Sequence, residues 1–248
     1  MRRFFTEAHN IKENIAEIFE DSRHIQKVLR MSTGDEILIF DGTGFEYKAK
    51  LIEIEKNVCR AEIIEKNISP AEPIVEIILF QALPKSGKME LIIQKAVELG
   101  VSKIVPVVTE RCVVKISDKK TAEEKVLRWN KISVEAAKQC GRGKIPIVEF
   151  PITFNDAIEK LSKTDLSIMP YEELGHDGKT GLKILLQENK DACLIGIVVG
   201  PEGGFSSKEA EFAVSKGIYT IGLGKRILRT ETVASAVIPV IMFDRGEF

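Results

Sequence analysis

Two stretches of this 248-residue chain hold residue types that could do chemistry: "VVGPEGGF" at 198–205 and "LGKRILRTET" at 223–232. The first interrupts an apolar run with three glycines, a proline and one carboxylate, Glu202. The second sets Gly224 beside Lys225, Arg226 and Arg229, with Glu231 two positions further on. Absent side chains let a backbone come close to a neighbour. A phosphate is a common neighbour, but the spacing disagrees. A dinucleotide fingerprint needs GxGxxG, whereas "GPEGGF" has the wrong interval and "GLGKRI" lacks the third glycine. "DGKTG" ends like a P-loop, yet Glu173 stands where its first glycine belongs. The remaining reading is a flat or compact ligand, such as a purine edge, met by backbone N–H and C=O groups. One such turn alone would be a plain strand-to-helix connection. Two in one domain, the second with a dense basic cluster, point to a site.

Such loops need a scaffold. From Pro73 onward strand-like and helix-like runs alternate. "IVEIILFQAL", "VSKIVPVVT", "DLSIMPYEE", "DACLIGIVVG" and "IYTIGLG" read as strands, most ending in a polar loop. "KMELIIQKAVELG" places Met89, Ile92, Ile93, Ala96 and Val97 on one helical stripe, with Gly100 after the last turn. "EEKVLRWNKISVEAAKQCG" is a long helix. "SSKEAEFAVSKG" is another, with Ser206 and Glu209 spaced as a capping box. "TVASAVIPVIMFDR" is the last, with a bend expected at Pro239. This alternation predicts an α/β domain with a mainly parallel sheet covered on both faces. Ligands of such sheets bind at the carboxyl ends of the strands. "MPYEE", "VGPEGGF" and "LGKRILRTET" are the loops at those ends.

Residues 1–70 differ. "EILIFDGTGFEYKAKLIEI" reads as two strands around a "DGTG" hairpin turn, and "NVCRAEIIEK" as a third. "HIQKVLRMSTGD" before them is a short helix or turn. "EKNISPAEPIVE" carries two prolines and reads as a linker. The expected domains are therefore 1–72, β-rich, and 73–248, α/β.

Composition sets the bounds. Hydrophobic residues are 44% and charged residues 29%, which fits a globular protein. No apolar run approaches the roughly 20 residues of a membrane helix, and "MRRFFTEAHN" has no signal-peptide core, so a cytoplasmic location is expected. Cys59, Cys112, Cys140 and Cys193 form no close pair, and His9, His24 and His176 are scattered, so neither a disulfide framework nor a metal site is expected. Net charge is −1, but residues 111–144 hold ten basic against four acidic side chains. Such a local excess suits a polyanionic partner; a solvated helix face is the plainer explanation.

These stretches together resemble the RsmE family, the ribosomal RNA uridine-N3 methyltransferases of the SPOUT superfamily. "VVGPEGGFSSKEAE" followed by "LGKRILRTET" carries the resemblance. It extends to "RRFF", "HIQKVLR…GDEILIFDG", "KMELIIQKAVELGVSKIVPVVTERCVV" and "RWNKISVEAAKQCGR", covering essentially the whole chain. Cys140 stands where serine is expected and Val233 where alanine is commoner. The resemblance implies a SPOUT-type trefoil-knotted, parallel-sheet methyltransferase domain preceded by a small PUA-like β-barrel that contacts RNA. Charge does not independently support that RNA role, since residues 1–70 hold 11 basic against 13 acidic side chains.

The resemblance further implies S-adenosylmethionine as cofactor, held by Pro170, Tyr171, Val199, Gly200, Pro201, Glu202, Gly203, Ile221, Leu223, Gly224, Ile227, Leu228, Arg229 and Thr232. It implies small-subunit (16S) ribosomal RNA or the 30S subunit as substrate, and a homodimer that completes the active site. Methyl transfer to uracil N3 needs that nitrogen to lose its proton, hence a base or a cation that stabilises the developing anion. Arg229 is the candidate cation. Glu231 and Glu202 are candidate bases or ligand acceptors; each could equally serve its own loop or helix turn. Candidate RNA contacts are Arg2, Arg3, Lys27, Arg30, Lys138, Arg142 and Lys144. Two alternatives stand beside this reading: a non-catalytic RNA-binding or ribosome-assembly protein, and a ribose 2′-O methyltransferase.

Overall fold

The computed structural model describes residues 1–85, 87–114, 118–171 and 181–248. Glu172 and Glu173 of the "MPYEE" loop, the "DGKTG" stretch as far as Thr180, His176 and Lys115 lie outside the described residues. The chain divides into two compact units, residues 1–72 with 134–145, and residues 73–133 with 146–248.

The first unit is a six-stranded sheet. Its strands are β1 (Arg2–Phe5), β2 (Ile11–Lys12), β3 (Ile15–Ile18), β4 (Glu36–Phe40), β5 (Phe45–Ile54) and β6 (Cys59–Ile68). They lie in the order β1-β4-β5-β6-β3-β2. β1 runs parallel to β4, and the other pairings are antiparallel. The turn between β4 and β5 is built around Asp41. Its carboxylate accepts from Thr43 N at 2.8 Å and Tyr47 Oη at 2.8 Å. Burial, reinforced by that bond, pushes the Tyr47 phenol up to about 12. Ile18, Ile25, Ile37, Ile39 and Leu51 fill the core.

The second unit carries β7 (Glu76–Ala82), β8 (Lys103–Val108), β9 (Ile147–Val148), β10 (Ile152–Thr153), β11 (Leu166–Pro170), β12 (Leu194–Val199) and β13 (Tyr219–Ile221). Its helices are α1 (Lys88–Glu98), α2 (Lys119–Cys140), α3 (Phe154–Leu161), α4 (Leu182–Glu188), α5 (Ser207–Ser215) and α6 (Thr230–Asp244); α2 from Val134 onward groups with the first unit. The sheet order is β10-β8-β7-β12-β11-β13, with β9 beside β8, and every pairing is parallel. β12 is central and buried along nearly its whole length, so "LIGIVV" is continuously apolar rather than alternating. Gly196 is required there, because a Cβ would collide with Leu161 of α3.

Helix signals in the sequence act as expected. The buried residues of α1 are Met89, Ile92, Ile93, Ala96 and Val97. The α5 capping box is complete, with Ser206 Oγ accepting from Glu209 N and Glu209 Oε2 accepting from Ser206 N. α6 buries Ala234, Val237, Ile238, Ile241 and Met242 against α1 and β12 but leaves Val240 and Phe243 exposed. Among the described residues no helix is long and apolar enough to cross a membrane.

Candidate functional site

The strand order decides where the loops meet. β12, β11 and β13 are neighbours and parallel, so their carboxyl ends stand side by side. Around those ends lies a cavity of about 590 Å³, within the usual range for small-molecule sites. Pro170 and Tyr171 line it from the end of β11, Val199 to Phe205 from the end of β12, and Leu223 to Thr230 from the segment after β13. Lys88 of α1, Arg111 of the loop after β8, and Val233 of α6 complete the lining. Of the fourteen residues expected around a cofactor, Ile221 and Thr232 alone are not in the lining. Ile221 is buried and Thr232 is exposed.

The glycines have reasons of their own. A Cβ on Gly200 would press on the Phe205 ring at 3.2–3.3 Å, and Phe205 belongs to the core under α3 and α5. Gly224 has φ +93° with open space where a Cβ would go, so its constraint is conformational rather than steric. Side chains are therefore absent partly to let the loops fold against their own protein.

Polar contacts hold the loops in register. Thr230 Oγ1 donates to Gly200 O at 2.6 Å, Arg111 Nη1 donates to Gly203 O at 2.8 Å, and Tyr171 N donates to Ile221 O at 2.9 Å. Lys88, which the sequence marks only as the start of a helix, is the charge centre. Its Nζ lies 3.0 Å from Glu202 Oε1 and 3.2 Å from Glu231 Oε2. Glu202 also accepts from Lys85 N at 3.2 Å. Burial raises the Glu202 carboxyl, but the bonds from Lys88 and from backbone N–H groups outweigh it and hold it below the usual carboxylate range. Glu231 is lowered first by its own backbone N–H in the opening turn of α6, then by Lys88 and Arg229. Lys88 is raised in return by its bonds to Glu202 and Glu231. Nothing in the sequence around Lys88 or Arg111 marks them as neighbours of residues more than ninety positions away, so only the fold reveals them. Arg229 is the exposed N-cap of α6, and its side chain makes no capping bond.

The expected RNA contacts fall in the first unit and separate into two groups. Arg2, Lys27, Arg30 and Lys144 are exposed. Arg142 is 3% exposed and ion-pairs with Glu72 at 2.8 Å. Arg3 ion-pairs with Glu46 at 3.3 Å, lies over the Phe40 ring and donates to Gly141 O and Arg142 O. Lys138 pairs with Glu20 at 3.2 Å and Glu135 at 3.4 Å. The second group is committed to its own unit's structure, and a phosphate contact would have to break those pairs. Among the described residues no cluster of three or more His, Cys, Asp or Glu could hold a metal.

Comparison with known proteins is consistent across the chain. The RNA methyltransferase domain family matches residues 70–242, and the RNA methyltransferase PUA domain family matches residues 20–64. Ribosomal RNA small subunit methyltransferase E of Bacillus subtilis (strain 168) is 34% identical over 249 residues, covering 98% of this chain and 97% of the relative. The protein of the same name from Aquifex aeolicus (strain VF5) is 31% identical over 79% of this chain and 80% of its own. A solved structure of ribosomal RNA small subunit methyltransferase E from Neisseria gonorrhoeae, bound to S-adenosyl methionine, is 32% identical. It superposes with a TM-score of 0.83 over 98% of this chain and 97% of that one.

Proposed function

The chain belongs to the ribosomal RNA small subunit methyltransferase E family, and we propose that it methylates N3 of a uridine in small-subunit (16S) ribosomal RNA. It is an S-adenosylmethionine-dependent ribosomal RNA methyltransferase with an α/β, parallel-sheet catalytic domain and an N-terminal PUA-like domain. The observation that carries the reading is the cavity of about 590 Å³ at the joined ends of β11, β12 and β13. Gly200, Gly203 and Gly224 all line it, where backbone groups can meet a nucleoside cofactor without a side chain between. Pro170, Val199, Leu223, Ile227 and Leu228 supply apolar walls for an adenine ring, while Glu202 and Arg229 supply charge.

When bound, S-adenosylmethionine supplies an electrophilic methyl on a sulfonium centre. The chain's own residues hold the acceptor and manage its charge. The N3 proton sits on the Watson–Crick edge, so the uridine must be unpaired or flipped to be reached. Glu202 and Glu231 are shared anions of Lys88 with lowered proton affinity, which makes them poor bases. We assign them to holding the loop after β12 against α6, and assign the N3 proton to solvent. Arg229, exposed at the cavity wall, then stabilises the uracil anion as it forms.

The remaining assignments belong to the same proposal. The exposed Val240 and Phe243 of α6 form the face of a homodimer. Arg2, Lys27, Arg30 and Lys144 meet the RNA backbone. The segment from β12 through α6 takes the trefoil-knotted arrangement of the SPOUT superfamily. The enzyme works in the cytoplasm on ribosomal RNA or the 30S subunit. Digestion of ribosomal RNA treated with enzyme and labelled cofactor, followed by nucleoside mass spectrometry, tests the reaction. Label on 3-methyluridine supports it, and label on a ribose oxygen or no label at all excludes it.

A further inference from the structure

Gln81, at the end of β7, does not line the cavity yet is fully buried beside it, paired across the sheet with Val199 of β12. Its Nε2 donates to Thr230 Oγ1 at 3.0 Å and to Ala82 O at 3.0 Å. Thr230 Oγ1 in turn donates to Gly200 O at 2.6 Å. The direction of this chain is fixed by chemistry. A carbonyl oxygen only accepts, so the single hydroxyl proton of Thr230 goes to Gly200 O. The hydroxyl therefore turns a lone pair to Gln81, which must present its –NH₂ and not its oxygen. The second proton of that –NH₂ goes to Ala82 O. No other side chain of this length offers two donors on one uncharged atom. The Gln81 Oε1 is buried with no hydrogen-bond partner among the described residues. An orphaned buried acceptor is costly, and it is tolerated here because the donors are what the position requires.

Resting on the cofactor assignment above, we propose that Gln81 is a positioning residue for S-adenosylmethionine: its amide sets the Thr230 hydroxyl on the Gly200 carbonyl and fixes the loop after β12 against the first turn of α6. Both Gly200 and Thr230 line the cavity, so a loop released at this point changes the cofactor's seat. Packing alone would be satisfied by leucine, and shape alone by glutamate. Leucine carries no donor, and glutamate carries none when ionised and a single one when protonated.

The test is calorimetric cofactor affinity of wild type, Gln81→Leu and Gln81→Glu, at about pH 5.5 and pH 8. Gln81→Leu binds roughly ten-fold or more weakly at both pH values, the scale expected when a buried polar group is left without its partner. Gln81→Glu is weak at pH 8, where its carboxylate has no proton to give. It recovers part of the way at pH 5.5, because burial raises the carboxyl's proton affinity and the neutral acid's single proton again donates to Thr230, while Ala82 O stays without its donor. The neighbouring charges do not confuse the reading. Glu202, Glu231 and Lys88 are all shifted toward their charged forms, so the ratio of variant to wild type reports the new carboxyl. Should Gln81→Leu fail to fold, Thr230→Val and Thr230→Ser carry the same test: valine weakens binding and serine restores it. Wild-type affinity in Gln81→Leu, or a pH-independent ratio in Gln81→Glu, overturns the proposal. Failure of wild type to bind S-adenosylmethionine overturns the cofactor assignment itself and takes the proposal with it.

Discussion

Arg229 carries the chemical claim at the scale of single residues. If it stabilises the N3 anion, Arg229→Ala lowers turnover by roughly 10²–10³-fold, the range for removal of an electrostatic donor, while cofactor affinity changes little. Raising the pH partly rescues the variant, because more uracil is already ionised; wild type over the same range responds less. Unchanged kcat in Arg229→Ala removes it from the mechanism. Lys88 makes a different prediction. Its partners Glu202 and Glu231 are held below the usual carboxylate range in the folded protein. A depressed carboxyl stabilises the fold above its unfolded pKa, and that stabilisation disappears as the pH falls through the folded value. The melting difference between wild type and Lys88→Met is therefore full at neutral pH and narrows as the pH falls below about 4.5. A constant difference down to acid unfolding would show that the ion pairs contribute nothing. Arg229, Glu202 and Glu231 are legible in the sequence because they flank the glycines. Lys88, Arg111 and Gln81 are not, because their partners are brought to them only by the strand order.

At the scale of elements, the pattern of the sequence carries far where periodicity is long. The α1 stripe, the α5 capping box and the apolar β12 run all appear as read. β1, β2 and β3 escape because strands of two to four residues show too little alternation. β9 and β10 escape for the same reason, at two residues each. The glycine loops stand out for one reason and hold for another as well. Gly200 meets Phe205, and Gly224 occupies positive φ. Gly224→Val accordingly strains its loop by about 1–2 kcal/mol and weakens cofactor binding, while the melting of the sheet core moves little. Gly196→Val acts elsewhere: it overpacks the contact with Leu161 and costs about 1–3 kcal/mol or more of stability. Calorimetry and thermal melting on the two variants separate these effects. Equal destabilisation in both would contradict the assignment of Gly224 to the site.

For the whole molecule, charge must be read together with pairing. The basic excess in 111–144 points to Lys138, Arg142 and Lys144 as an RNA-binding set. Burial and ion pairs commit Arg142 and Lys138 to the first unit, so Arg142→Glu should lower stability by breaking the pair with Glu72. Reversing the exposed Lys27, Arg30 and Lys144 together should instead keep the fold and flatten the salt dependence of RNA binding. The slope should fall by roughly 0.7 for each phosphate that is no longer neutralised; an unchanged slope would make these residues a solvated face. Light scattering checks the assembly, where the exposed Val240 and Phe243 predict a dimer and Phe243→Asp a monomer. The central claim is the reaction, and one measurement reaches it most directly: purified wild-type protein, S-adenosylmethionine labelled on the methyl group, small-subunit ribosomal RNA or 30S subunits, and mass spectrometry of the digested nucleosides. The account predicts label on N3 of a single uridine, formed roughly 10²–10³-fold more slowly by Arg229→Ala at neutral pH and partly restored at alkaline pH. Label on a ribose 2′ oxygen, or bound cofactor with no methyl transferred, would contradict it.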